Sequence, residues 1–136
     1  MYTVLVPLDG DEARARAQAA AVADLPCADE QVQATLVHVF ESNPSAASVH
    51  QVVGVRRASE YLESRGVSVR LDETSGEPAR ELLRLADDAD VDLICLAGRK
   101  RTPAGKALFG SVTQHVILES DRPVLVCDTD GPVTEE

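Results

Sequence analysis

The sequence contains no tryptophan, two phenylalanines and two tyrosines, so aromatic rings make up only 3 % of it. A core without bulky rings has to be assembled from Val, Leu, Ile and Ala, which suits helices laid on a sheet. Lysine is scarce too, with Lys100 and Lys106 the only two. The formal charge is −10 and the pI about 4.7. That balance argues against general nucleic-acid binding, where phosphate neutralisation by Lys and Arg supplies most of the affinity. A surface rich in Asp and Glu and poor in Lys resembles that of proteins from salt-rich cytoplasm; an ordinarily acidic soluble protein has the same composition. No apolar run reaches transmembrane length and no basic-plus-apolar leader opens the chain, so no membrane span is expected. Cysteines number three, and the spacing of Cys27, Cys95 and Cys127 matches neither a metal site nor a redox pair. Cys95 and Cys127 lie inside apolar runs, where Cys behaves as a small hydrophobe. Reduced thiols fit a cytoplasmic location.

A length of 136 residues points to one domain, large enough to hold a core without disulfides. Residues 2–8 (YTVLVPL) form a short apolar run, as expected of a strand buried on both faces. Asp9-Gly10-Asp11 is a turn, Asp11 is a candidate N-cap, and an Ala-rich helix follows from Glu12 to about Asp24, ended by Pro26. Residues 32–40 (VQATLVHVF) make a second strand. Val52, Val55, Ala58 and Leu62 recur at helical spacing, and Gly66 closes that helix. Residues 67–71 alternate (VSVRL), the mark of a half-exposed strand nearer an edge. Pro78 opens a helix with one apolar stripe of Ala79, Leu82, Leu83 and Ala86. Residues 91–97 (VDLICLA) are the next buried strand, a helix begins near Ser111, and residues 123–127 (PVLVC) are the last strand. The order β-α-β-α-β-α-β-α-β implies an α/β fold: a single open parallel sheet with helices on both faces.

In such a sheet, ligands bind beyond the C-terminal ends of the strands, where strand order reverses. Asp9 lies there, and so does the loop from Gly98 to Ser111. That loop carries Arg99, Lys100, Arg101 and Lys106 in an otherwise acidic chain. A positive loop running into a helix N-terminus suits an anion, because unpaired N–H groups and the helix dipole favour negative charge. Gly110 lets backbone approach a phosphate closely, and Ser111 and Thr113 offer hydroxyl donors. The same residues also read as a solvated loop and a plain helix start, and Asp9 as a cap or turn residue. Walker spacing is absent, so this is no P-loop. His38, His50 and His115 form no triad and no metal pair, and read as structural or surface histidines. The run Asp87-Asp88-Ala89-Asp90 reads as a helix end and its solvated turn.

Together, VLVPLDG at the start, LVHVFE in the second strand, SGEPARELLRLADDADVDLICLAGR, GSVT and the closing RPVLV resemble the universal stress protein pattern over nearly the whole chain. The resemblance implies a universal stress protein domain over residues 1–128, followed by an acidic flexible tail at 129–136. It implies five parallel strands in the order 3-2-1-4-5, and a homodimer through the last strand. Some family members bind ATP at the switch point, through a loop resembling G-x2-G-x9-G-S/T. Gly98 matches the first glycine and Gly110-Ser111 the last pair; Arg101 stands in the middle glycine's place, and the stretch is one residue shorter. By the same resemblance Asp9 meets the adenosine, Val39 contacts adenine through its backbone, and Gly110, Ser111 and Val112 cradle phosphates. Arg99 and Arg101 are added as phosphate contacts from their charge. The function implied is a stress-response sensor or adaptor that binds ATP or AMP, with Mg if the ligand is ATP. The alternative is a dimeric interaction protein of the same fold without nucleotide, working through an unknown protein partner. No general base aimed at a phosphate is readable, so an enzymatic role extends at most to a slow ATPase.

Overall fold

The computed structural model describes residues 1–41, 48–98 and 109–127. Five strands form one sheet in the order β3-β2-β1-β4-β5: β1 (Tyr2–Pro7), β2 (Val32–Phe40), β3 (Ser68–Ser75), β4 (Leu93–Ala97) and β5 (Val124–Cys127). Every pairing is parallel, as expected. The helices are α1 (Glu12–Ala23), α2 (Ala28–Gln31), α3 (Val53–Ser64), α4 (Pro78–Ala89) and α5 (Ser111–Glu119).

The continuous apolar strands are explained by burial on both faces. Val4 and Val6 of β1, Ala34 and Leu36 of β2, and Cys95 of β4 join α1 and α3 in one core. Leu5, Val37, Ile94 and Leu96 point the other way and pack with Ala79 and Leu82 of α4 and Val116 of α5. Each Leu, Ile or Val so enclosed contributes about 1.5–3 kcal/mol relative to exposure. Alternation along each strand therefore sorts one apolar run into two cores.

Helix boundaries follow local chemistry. Asp11 caps α1, its Oδ1 accepting from the Arg14 N–H at 2.9 Å. Glu77 caps α4, its Oε2 accepting from the Ala79 N–H at 2.7 Å, with Pro78 in the first turn where a missing N–H costs nothing. Gly66, at φ +82°, turns the chain out of α3. Near the start of α3, Gly54 lies so close to Gly10 that an added Cβ would sit 3.3 Å from the Gly10 carbonyl carbon and oxygen. A glycine there lets α3 approach the loop that follows β1.

Helix α1 ends at Ala23 with Asp24 as its C-cap, as the sequence indicates, and the single turn α2, which the sequence does not show, intervenes before β2. Two strand boundaries differ from expectation. Strand β3 runs on to Ser75 because it stays in register with β2 as far as Ser75 opposite Phe40. As an edge strand it tolerates the polar residues Asp72 to Ser75. Strand β4 begins at Leu93, since the Val91 N–H is held by the Ala86 carbonyl at the end of α4. A 3-10 turn, Val49–Gln51, precedes α3. The tail at 129–136 lies outside the described residues. No helix among the described residues is long and apolar enough to cross a membrane.

Candidate functional site

Strand β1 sits between β2 and β4, so the chain order reverses there, and a cleft of about 670 Å3 opens above its C-terminal end. Pro7, Leu8 and Asp9 form one side, Val37 to Glu41 another, Leu96 and Ala97 a third, and Gly110 to Thr113 at the start of α5 close it. The position is the one that parallel α/β sheets use for ligands.

Asp9 sits exposed at the rim. Its Oδ1 accepts from the Asp11 N–H at 3.0 Å and its Oδ2 from Arg14 Nη1 at 2.8 Å. Arg14 also lies 3.7 Å from Asp11, so one cation faces two carboxylates at the mouth. The turn reading of Asp9 is therefore correct as far as it goes, and the residue also lines the cleft.

Beneath the rim, Gln18 is buried on the otherwise apolar inner face of α1. Its Nε2 donates to the Pro7 carbonyl at 2.7 Å and to the Cys95 carbonyl at 2.9 Å. One amide thus joins the ends of β1 and β4 where the sheet opens. His38 Nδ1 lies 2.7 Å from the Leu8 carbonyl, and its ring meets Phe40 edge-on with centroids 4.5 Å apart. This contact ties β2 to the segment leaving β1 and presents an aromatic wall beside Val39.

Helix α5 begins with Gly110 at its N-cap, and no side chain among the described residues caps it. Its first turn lines the cleft, and unpaired N–H groups at a helix start are a general setting for anions. Ser111 is exposed. Thr113, read from sequence as a further hydroxyl donor, turns inward instead and gives its hydroxyl to the Ala97 carbonyl at 3.2 Å. It anchors α5 to β4.

Of the eight residues singled out from sequence, Asp9, Val39, Gly110, Ser111 and Val112 line one cleft. Gly98 follows the lining residue Ala97 and donates its N–H to the Cys127 carbonyl at 2.8 Å. Arg99 and Arg101, like Lys100 and Lys106, lie outside the described residues. Arg14, Gln18, His38 and Phe40 were missed as lining residues. For Gln18 a signal existed: an amide between Ala15, Ala19 and Val22 on an apolar stripe needs a buried partner. The acidic run in the last turn of α4 and its C-cap is held by arginines, Arg84 at 3.0 Å from Asp88 and Arg122 at 3.0 Å from Asp90 and 3.4 Å from Asp87. His115 pairs with Glu119 on the surface of α5.

Residues 1–128 match the model of the Universal stress protein family. A universal stress protein of Mycolicibacterium smegmatis is 38 % identical over 72 residues, covering 52 % of this chain and 55 % of that relative. The matched stretch is thus about half that relative's length. Among solved structures, a universal stress protein from Archaeoglobus fulgidus superposes with a TM-score of 0.75 at 23 % identity, covering 94 % of this chain and 99 % of that one. A universal stress protein in complex with cAMP superposes with a TM-score of 0.71 at 26 % identity, over 94 % and 97 % of the two chains.

Proposed function

The chain belongs to the universal stress protein family, and on that premise we propose that it binds an adenine nucleotide, ATP or AMP, as a stress-response sensor or adaptor. The observation that carries this reading is the meeting, in one cleft at the switch point, of Asp9, Val39 and the start of α5, which no side chain among the described residues caps. The cAMP complex of a similar protein supports it.

The lining fits each part of such a ligand. Val39 and Leu82 offer an apolar wall for a base, and the Val39 backbone supplies polar contacts to adenine. Asp9 accepts hydrogen bonds from ribose hydroxyls. The N–H groups of Gly110, Ser111 and Val112 hold phosphate at the positive end of α5. Gly98, Arg99 and Arg101 belong to the same set, the two arginines adding countercharge. With ATP, Mg would neutralise part of the triphosphate. The role we read is that of a sensor in the cytoplasm; among the described residues no cleft side chain is identified as a general base toward phosphate, and an enzymatic role extends at most to a slow ATPase.

The test is mass spectrometry of small molecules released on denaturing the purified protein, beside the double variant Gly110→Val, Ser111→Val. Adenine nucleotide from the parent, absent from the folded variant, is the expected result. A parent that carries none, and gives no calorimetric response to millimolar ATP with Mg, would sink the reading.

One observation favours the alternative, an interaction protein without nucleotide: both Asp9 oxygens already accept protein hydrogen bonds. In either case we propose a homodimer through β5, whose Val124, Leu125 and Val126 stand at a sheet edge. Light scattering is expected to give twice the chain mass; a monomer at working concentration would contradict it.

A further inference from the structure

Cys95 and Cys127 are 32 residues apart in sequence, yet their sulfurs lie 3.4 Å apart. The register explains the encounter. Ala97 of β4 pairs with Cys127 of β5, and Cys95 stands two residues earlier on the same face. The two side chains are therefore diagonal neighbours across adjacent strands, packed beneath α1 in one core. Both are free thiols, with Cys95 fully buried and Cys127 8 % exposed. The Cys95 sulfur also lies 3.9 Å from the Gln18 carbonyl.

We propose that Cys95 and Cys127 are an oxidisable dithiol, a modification site that a hydroperoxide closes reversibly to a disulfide. The sulfurs need to approach by about 1.4 Å to reach bonding distance, and because diagonal neighbours stand about 7–8 Å apart, the ends of β4 and β5 draw together slightly as the bond closes. The two thiols have different roles. The hydrogen bond between the two sulfurs holds the Cys127 thiol below its ordinary range. The same bond, then burial, then the charge on Cys127, push Cys95 well above its own. Cys127, at the end of an edge strand and the less enclosed of the two, is the sulfur that meets the oxidant. Its thiolate attacks one peroxide oxygen; the O–O bond breaks, a sulfenic acid forms on Cys127, and the other oxygen leaves as hydroxide. Cys95 sulfur then attacks the Cys127 sulfur; the S–S bond forms, the S–O bond breaks, and hydroxide departs. The protons released by the two thiols convert both hydroxides to water. In sum, two thiols and one hydrogen peroxide give one disulfide and two waters. A dithiol reductant reverses the change.

The site is distinct from the cleft lining but attached to it. The Cys95 carbonyl accepts from Gln18, and the Cys127 carbonyl accepts from the Gly98 N–H. It stands whether or not the cleft takes a nucleotide.

The test uses the full chain with Cys27→Ser, which removes the one exposed cysteine. The folded protein is treated with hydrogen peroxide, its remaining thiols are blocked with N-ethylmaleimide after denaturation, and its protease digest is weighed. The expected product is a pair of peptides joined through Cys95 and Cys127, two hydrogen atoms lighter than the sum of the separate peptides and parted by dithiothreitol. In a Cys95→Ala variant the sulfenic acid on Cys127 should persist and be trapped by dimedone. Both thiols alkylated equally with and without peroxide would overturn the proposal. So would linkage that appears only in denatured protein, or passage of Cys127 to sulfinic acid with no linked peptide. The joined peptide is read from the protein with both cysteines, so the test does not depend on Cys95→Ala folding.

Discussion

Arg14 holds Asp9 at the rim of the cleft: its Nη1 lies 2.8 Å from Asp9 Oδ2. The pair is open to solvent, and exposed ion pairs contribute about 0–1 kcal/mol to stability. Asp9 should therefore matter more to a ligand than to the fold. Asp9→Asn is expected to weaken ATP binding roughly tenfold or more, the effect of losing a hydrogen bond to a charged acceptor, while moving the melting temperature little. Calorimetric titration beside a thermal melt checks both. Unchanged affinity would remove Asp9 from the site.

Gln18 makes the opposite prediction. Its amide satisfies the Pro7 and Cys95 carbonyls in the interior. Gln18→Leu keeps the bulk and removes the amide donor from the buried Cys95 carbonyl and the part-buried Pro7 carbonyl. The expected loss is about 1–3 kcal/mol of unfolding free energy, read from urea denaturation as a lower midpoint with an unchanged slope. A midpoint equal to the parent's would mean that water replaces the amide.

At Gly54 the limit is space. A Cβ would stand 3.3 Å from the Gly10 backbone and 3.4 Å from the Ala15 Cβ, and a backbone cannot step aside as a flexible side chain does. Gly54→Val is expected to destabilise by about 1–3 kcal/mol, as overpacking does. Gly54→Ala should come close to neutral, because gained helix propensity, about 1 kcal/mol, offsets the milder crowding. Chemical denaturation of the two variants side by side gives the ordering.

Glu81 sets a pH dependence. Hydrogen bonds from Arg84 at 2.6 Å and Thr74 at 2.7 Å hold its carboxyl below the ordinary value of 4.5. A carboxyl depressed by folding contributes stability above its unfolded value and loses it as pH falls through the folded value. Acid unfolding of the parent should therefore be steeper below about pH 4.5 than that of Glu81→Gln. Parallel acid limbs would refute this.

Much of the fold was legible because apolar run length, turn residues and caps are local signals. Residues 2–8 and 32–40 read as buried strands, and Asp11, Gly66 and Pro78 mark boundaries where the structure has them. The pieces without periodicity were not readable: α2 is a single turn and Val49–Gln51 a 3-10 turn. The extension of β3 to Ser75 depends on its pairing with β2, which the alternation in VSVRL does not reveal. At the site, Asp9, Gly110 and Ser111 were legible because each sits at a strand end or helix start, whereas Val39 and Val112 were named only through the family resemblance. Arg14, His38 and Phe40 join the cleft through packing, which no spacing rule predicts. Cys95 and Cys127 each read correctly as buried and apolar in setting. Their meeting required the register of β4 on β5.

The two edges of the sheet are unlike. Strand β3 ends the sheet with Arg70, Asp72 and Glu73 along its length, charges that repel another backbone. Strand β5 ends it with Val124, Leu125 and Val126. Growth by strand addition therefore has one permitted direction. A second copy docked at β5 in a two-fold arrangement would use up that direction for both chains and leave a charged margin at each outer end. Assembly would then stop at two copies, and the molecule would be guarded against fibre formation by the order of its strands.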